Sequence, residues 1–600
     1  MRITIPNPET KQLRQLNKGN LYGELYGTYN CDLLSAPGKI RVAPRLYRIF
    51  DNDTSDSGDS DFKHQWGFVR ADTSAGTADQ WWSGNGSVLF KSTNSSPTSA
   101  WAQDAIATGD GTPTNLSHFY SDIVRFEGAI IVSNSTDLHR LAAASWDLSW
   151  WDTTLAQTAL TADIYHPLHT WERTLLIGDA NKLHTIDKDN IVSASRLVLP
   201  PEFYITKIIS RIDKAWILTR HIYDGEAMIF EWDGKSNTHN RQFSAKASQC
   251  LSGVVSKNGI AYVMNSYGQL LEYTGSGFEE VNSLPLFTET VFKFKGTTAG
   301  AIWNDSWSLN RMVHPNGMAM IDDKIHILLS GAIAGTDSYL FENMLSGVWI
   351  YTKENGLYHA YSLTQYKSGT QPDKGTGVIL YPGALVQTDK GYFLAGGTIY
   401  TDNMATELSS IFTKDAGLTR NLGYVIYSRI SSSEIQNIWN NIWLKFSQLD
   451  SGDKIIVKKR TSRDYNLPVR AAITWTSGTT FTTTESTFSN VAVGDEVQVF
   501  VGKNSGRIAH ITTISLAAGT YTITIDETML ITSGTAQIYV YDWVKVGSFS
   551  DSDSLNRQFT YFALGGESTY IDIKIVFDFF NERSELEDAT ITSKTNLKIE

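Results

Sequence analysis

Cysteine is nearly absent: Cys31 and Cys250 are the only two in 600 residues, far apart in the chain. A disulfide framework is therefore not expected. No run approaches the roughly 18 consecutive apolar residues of a membrane helix. The N-terminal MRITIPNPETKQLRQ has no apolar core of the kind a signal peptide carries. A soluble chain made in a cytoplasm, without a membrane segment, is the expectation. The sequence has no G-x-x-x-x-G-K-[ST], no H-E-x-x-H, no G-x-S-x-G and no paired C-x-x-C. Those absences disfavour an enzyme. Long helix-forming runs are scarce as well, whereas aromatics reach 12% and glycines number 46. That balance points to an all-β protein with many turns.

The net charge of −12 is uneven. Residues 1–48 hold eight basic and three acidic groups, so this segment carries +5 and the remainder −17. An acidic body disfavours general nucleic-acid binding, which needs clustered Lys and Arg against phosphate. The basic segment reads either as a solvated surface stretch or as an arm that docks on an acidic neighbour.

Among the residues that are present, Val254–Tyr273 carries the clearest pattern. Its VVSKNGIAYVMNSYGQLLEY contains a Lys257-Asn258-Gly259 turn, a short apolar run, a second turn at Asn265–Gly268 and an alternating run. Period-2 patterning around Asn-Gly signals a hairpin. Similar units recur, and Gly86, Gly128, Arg173, Lys214, Gly259, Lys324 and Lys390 serve as turn markers. Their steps are 42, 45, 41, 45, 65 and 66 residues. Blade repeats of propellers run about 40–50 residues, so the last two steps need insertions. The reading is a β-propeller of about seven blades over 39–423, with 39–50 (KIRVAPRLYRIF) as a strand that closes the ring against the last blade. Residues 1–38 have too little apolar density for a domain and read as an extended N-terminal arm ordered against something else. Beyond Gly423 the spacing changes. Tyr424–Ile430, Ile442–Phe446, Lys454–Lys459 and Tyr570–Phe580 read as strands of a C-terminal β-sandwich, 424–470 plus 541–600. The Thr-rich stretch 471–540 reads as an inserted small β-barrel-like domain.

Several stretches carry residue types found in ligand sites. His166 and His169, with Glu172 nearby, have zinc-ligand residue types, but Pro167 and a strand context spoil the helical spacing that such a pair favours. The loop Asp51–Asp61 (DNDTSDSGDSD) carries closely spaced oxygen ligands yet lacks the order of a calcium loop. Gly84 opens GNGSVLF, half of a dinucleotide fingerprint that a hairpin turn explains better. Trp81, Trp82, Trp101, Trp146, Trp150 and Trp151 read as inter-blade core, with sugar-stacking platforms as the alternative. A propeller glycosidase would need two carboxylates at the axis, which sequence alone does not place. No catalytic, cofactor-binding or metal residue is assigned.

The stretch Gly27–Tyr47, GTYNCDLLSAPGKIRVAPRLY, resembles the opening of tailed-bacteriophage virion propeller proteins, an N-x-D-L-x-S-x-P-G-K-I-R type segment ahead of the blades. Asp542–Ile591 is similar to their C-terminal β-sandwich, with Ile571–Val576 and Ser584–Leu586 matching its I-x-I-K-V and S-x-E-L stretches. The layout as a whole resembles tail nozzle or tail-tip subunits. The resemblance implies a non-enzymatic structural protein of the virion, made in the host cytoplasm. Its implied partners are copies of itself in a ring, other tail or portal-adaptor proteins, and DNA in transit through an ejection conduit. A receptor- or glycan-binding tail protein facing a host-surface glycan is the alternative, and a propeller glycoside hydrolase a further one. The role of the 471–540 insertion is left open by the resemblance.

Overall fold

A computed structural model describes residues 2–5, 25–29, 31–32, 40–43, 46–52 and most of 65–595. It leaves aside 72–78, 105–112, 285–312, 330–346, 363–378, 389–392, 401–406, 415–420, 432–436, 462–468, 502–507, 551–558, 580–585 and shorter interruptions. The protein is all-β. Among the described residues, helix is confined to a π-turn at Trp150–Thr154 and a 3-10 turn at Ser486–Asn490.

The described residues contain seven four-stranded antiparallel sheets. Six are consecutive meanders, with first strands Gln65–Ala71, Ile123–Phe126, Leu168–Trp171, Phe203–Ser210, Cys250–Val255 and Met318–Ile321. The seventh begins at Ile379–Gln387 and takes its fourth strand from the other end of the chain. Leu46–Asn52 pairs antiparallel with Glu407–Lys414, Ile411 facing Phe50. First strands of successive sheets lie side by side, and the seventh sheet's lies beside the first sheet's. The arrangement is thus cyclic and propeller-like.

Apolar side chains fill the seams. Trp66 and Trp82 pack with Ile130, Val132 and Trp146 between the first two sheets. Trp150 and Trp151 pack with Leu175 and Ile177 between the second and third. Phe68, Trp81, Phe90 and Trp101 meet Ala384 and Leu394 where the seventh sheet joins the first. All six tryptophans of the cluster are buried, so they form core, and the sugar-platform alternative for them is corrected. The seams also dictate glycine. A Cβ on Gly84 would stand 2.1 Å from the Trp66 ring, so only hydrogen fits where that indole crosses the neighbouring strand.

Turn chemistry follows the sequence. Gly259 has φ +77 and donates its N–H to Ser256 O at 2.8 Å, as the Asn-Gly signal predicts. Asp322 and Asp323 both take positive φ in the turn before Lys324–Leu329, a conformation that Asp tolerates better than most residues.

Two larger sheets face each other across one core. The five-stranded sheet holds Arg2–Ile5, Leu586–Thr595, Asn437–Phe446, Phe559–Ala563 and Glu567–Ser568. The six-stranded sheet holds Leu25–Tyr29, Asn421–Tyr427, Ile430–Ser431, Tyr570–Phe579, Lys454–Arg460 and Val544–Ser550. Trp439, Ile442 and Ile591 from one sheet meet Val425, Ile455 and Ile575 from the other, with Ile350 and Tyr358 of the sixth four-stranded sheet packed in. The segment 1–38 is expected as an extended arm ordered against something else. In its described parts Ile3 pairs with Ile591, Thr28 with Val425, and Cys31 with Val42, so these are strands added to the chain's own sheets, each packing on a core built by other segments.

Between Lys454–Arg460 and Val544–Ser550, which pair with each other, the chain leaves to form a closed six-stranded barrel running from Val469 to Tyr541. Exit and return on neighbouring strands bring the ends together, which is what makes such an insertion tolerable. Its core holds Trp475, Phe481, Phe488 and Ile538.

Candidate functional site

Two constellations of buried polar groups stand out. The first lies where all seven sheets converge. Asn316, in the Val313–Gly317 segment ahead of the sixth sheet, donates its Nδ2 to Trp66 O of the first sheet at 3.0 Å. The same nitrogen reaches Asp122 Oδ1, ahead of the second sheet, at 2.8 Å. Its Oδ1 accepts from Lys207 Nζ of the fourth sheet, and its backbone oxygen accepts from Leu385 N of the seventh at 2.8 Å. Ser252 of the fifth sheet donates to Pro315 O at 2.7 Å. Leu168 N of the third donates to Asp122 Oδ2 at 3.0 Å. A segment bonded to the first, fourth, fifth and seventh sheets of a ring, and through Asp122 to the third, sits at its axis.

The charges there are matched. Asp122 is buried and accepts from Leu168 N, Asn316 Nδ2 and its neighbour Ile123 N. Burial lowers the Lys207 pKa, partly opposed by Asp122. Burial also raises the Tyr165 phenol well above its ordinary value, reinforced by Asp122. Burial and then the Lys207 charge push His169 down to about 3, so its ring is neutral, in contact with Ser210 Oγ at 2.7 Å. One carboxylate, its lone pairs occupied by fixed donors, is a poor general acid or base.

The second constellation joins the barrel to the six-stranded sheet. Lys458 lies opposite Lys574 on one neighbouring strand and opposite Lys545 on the other. Glu496 of the barrel takes Lys458 and Lys574, the latter at 2.7 Å, and Gln498 also donates to it. Lys545 goes to Asp526 of the barrel at 3.2 Å, and His510 Nδ1 to the same carboxylate at 3.0 Å. The side chains of Lys458, Glu496 and Lys574 are essentially without solvent exposure. The Lys574 ammonium also stands 3.9 Å from the Tyr424 ring centroid, a cation–π contact. Burial lowers Lys574 to about 8 despite Glu496. Burial would raise Glu496, but the two lysines outweigh it and hold the carboxyl far down.

The sequence candidates do not assemble. His166 is buried against carbonyl oxygens, His169 turns to Ser210, and Glu172 sits exposed in a hairpin turn at φ +54. Among the described residues, no three His, Cys, Asp or Glu groups are placed to hold a metal ion. The Asp51–Asp61 loop lies outside the described residues except for Asp51 and Asn52, which continue the closing strand. Cys31 and Cys250 are buried thiols in no disulfide, and Cys31 Sγ donates to Tyr424 O at 3.4 Å. Among the described residues, no helix is long and apolar enough to cross a membrane. Sequence reasoning missed both constellations. Asn316 stands in VHPNG, an ordinary turn signal, and Lys458 in KIIVKK, an ordinary half-exposed strand.

No protein-family model matches the chain, and no curated protein matches it. Among solved structures it is similar to the extracellular domain of a protein described as a hybrid two-component system from B. thetaiotaomicron, at 14% identity and TM-score 0.37. That match covers 66% of this chain and 42% of the other, so this chain spans less than half of that domain's length. It is also similar to virginiamycin B lyase from Staphylococcus aureus, at 10% identity and TM-score 0.36, covering 61% and 98%. A match to the mitotic checkpoint complex has 9% identity and TM-score 0.36, covering 64% and 98%.

Proposed function

We propose that this chain is a structural subunit of a bacteriophage tail, assembling with its copies into a ring as a nozzle or tail tip. In this reading residues 39–423 are a seven-bladed β-propeller. Residues 424–470 plus 541–600 are a β-sandwich platform, and 471–540 an inserted barrel. The observation that carries it is the network around Asn316 and Asp122, which links the first, third, fourth, fifth and seventh sheets with the segments ahead of the second and sixth. A propeller whose axis is filled by its own matched charges serves as a rigid disc, with loops on two faces to hold neighbours at fixed spacing. The resemblance of Gly27–Tyr47 and Asp542–Ile591 to virion propeller proteins supplies the tail context. DNA would then pass through the lumen of the assembled ring and not along the propeller axis. An acidic wall would keep its phosphates from adhering. Other tail or portal-adaptor proteins would cap the ring, and the mature location is the virion.

A receptor- or glycan-binding tail protein is favoured by one feature, the exposed Trp443 and Tyr561, cross-strand neighbours with ring centroids 4.7 Å apart. Gold-labelled antibody on particles that contain the chain tests between the two. Label in a collar on the tail axis supports the nozzle or tip. Label on peripheral fibres supports the receptor binder.

A further inference from the structure

The inserted barrel carries a β-ribbon with one uncovered edge. The strands Ile508–Ala517 and Thr520–Ile525 pair antiparallel and meet in a two-residue turn, with Ala518 at φ +48 and Gly519 at φ +78. Positive φ at both turn residues is the tight geometry that keeps a hairpin paired to its tip. On its outer side Ile508–Ala517 meets Glu496–Val501 only over 508–510. Ile511 still accepts from Gly494 N at 2.8 Å and donates to Asp495 O at 3.0 Å. Beyond it, no strand among the described residues pairs with the outer edge of 513–517. At the base, His510 is held by Asp526, which also takes Lys545 of the six-stranded sheet. The turn thus stands about 25 Å of strand away from that junction. Residues 512–519 are exposed apart from the half-buried Ile514.

This edge is unusual in its charge. Residues 511–525 contain no charged side chain, in a chain of net charge −12. Natural edge strands are blunted by charged side chains, proline or bulges. The outer strand of the fifth sheet, Phe278–Ser283, carries Glu279 and Glu280 in that way. The ribbon offers Thr, Ile and Ser instead, with Leu516 59% exposed.

The edge is also complementary to itself. Ala517 and Thr520 flank the turn, so their backbone groups bond to each other. Alternation along an antiparallel pair then points the N–H and C=O of Ile514 and Leu516 outward. A two-fold axis at Ser515 sets Ile514 of each copy against Leu516 of the other. Each such pair exchanges two backbone hydrogen bonds. The four apolar side chains share one face, because residues two apart in a strand point the same way. Thr513 then faces Ala517, and no charge meets a like charge. A bilayer would leave the same backbone groups unpaired, which is costly in hydrocarbon.

We propose that the ribbon edge 513–517 docks on the same edge of a second copy of this chain, the two joined antiparallel about Ser515 into one four-stranded sheet. Elsewhere the acidic copies repel one another, and the uncharged edge is where they can come close. The contact goes beyond the reading as a ring subunit. Ring closure uses heterologous contacts, whereas this one is two-fold and joins copies, or rings, in pairs.

The test uses the full chain with Ser515→Cys. In the pair the two residues at 515 stand directly opposite without bonding to each other, their Cα atoms about 4.5 Å apart, within reach of a disulfide. Mild oxidation is expected to convert most of the protein to a covalent pair of chains. Thr522→Cys, on the inner strand of the ribbon, is expected to give none, and the natural cysteines are buried. Adding Leu516→Lys to Ser515→Cys removes two apolar contacts and puts a cation from each copy on one face. It is expected to cut crosslinking about tenfold while the barrel's thermal transition stays in place, since Leu516 is exposed. A Ser515→Cys chain that stays single, as it would if the edge took a strand of another protein or a lipid surface, overturns the inference. So does crosslinking that Leu516→Lys leaves unchanged. Ring closure enters neither readout, so this inference and the tail reading fail separately.

Discussion

Lys458 lies directly opposite Lys574 in the antiparallel pair of strands Lys454–Arg460 and Tyr570–Phe579. Like charges at opposed positions destabilise a sheet, and here both are out of water. The barrel resolves the conflict by placing Glu496 between them. Insertion and sheet therefore depend on each other.

Glu496→Gln removes the shared anion and leaves two buried cations. A loss of about 3–5 kcal/mol is expected, the range for breaking a buried pair from one side. Denaturant unfolding followed by barrel-specific amide exchange reads it. Replacing the whole set, with Lys458→Met, Glu496→Leu and Lys574→Met together, should cost little or stabilise, since apolar residues of similar volume often substitute well for a buried ion group.

The pH dependence of the junction follows from Lys574. Its value falls from an ordinary 10.5 to about 8 in the fold. Between those two values the unfolded chain holds a proton that the folded chain has released, so stability rises with pH across that window. The contribution is complete above pH 10.5 and is lost as pH falls through about 8. Thermal melting from pH 7 to 10 should show this rise for the natural chain, and Lys574→Met should flatten it.

Asn316→Ala leaves Trp66 O, Asp122 and Lys207 without their shared partner. A loss on the order of 3 kcal/mol is expected from buried polar groups left unsatisfied. The seven-sheet ring should melt earlier while the barrel's transition stays in place. Equal shifts in both transitions would contradict the axial role.

Deleting residues 1–38 removes Arg2–Ile5, Leu25–Tyr29 and Cys31–Asp32, which pair with three separate strands. The expected outcome is a destabilised pair of large sheets with the ring still folded, because the closing strand Leu46–Asn52 remains. Amide exchange by segment measures it. Protection lost over 421–427 and 586–595, and kept over 123–283, is the predicted pattern.

These cases mark where sequence reasoning reached and where it stopped. The all-β class was legible because Asn-Gly turns and period-2 runs are local signals, as at Lys257–Gly259. Of the stretch 39–50 expected to close the ring, the part within Leu46–Asn52 pairs with the last four-stranded sheet, whereas Arg41–Val42 pairs with Cys31–Asp32. The pairing of Ile3 with Ile591 was not legible, since its partner is nearly the whole chain away and no nearby pattern encodes it. Lys458 carries no mark of burial in KIIVKK. Only the Glu496 that a separate segment brings across makes that position internal. Asn316 is likewise indistinguishable from a turn residue until Trp66, Asp122, Lys207 and Leu385, each from a distant segment, meet it.

The central claim, a rigid disc that exists to be held by its copies, is tested most directly by the mass of the purified full-length protein in native mass spectrometry. The account predicts a discrete closed oligomer whose mass is a whole multiple of 66.8 kDa and which appears as a ring in electron micrographs. A monomer at every concentration, or an open-ended series of masses, would contradict it.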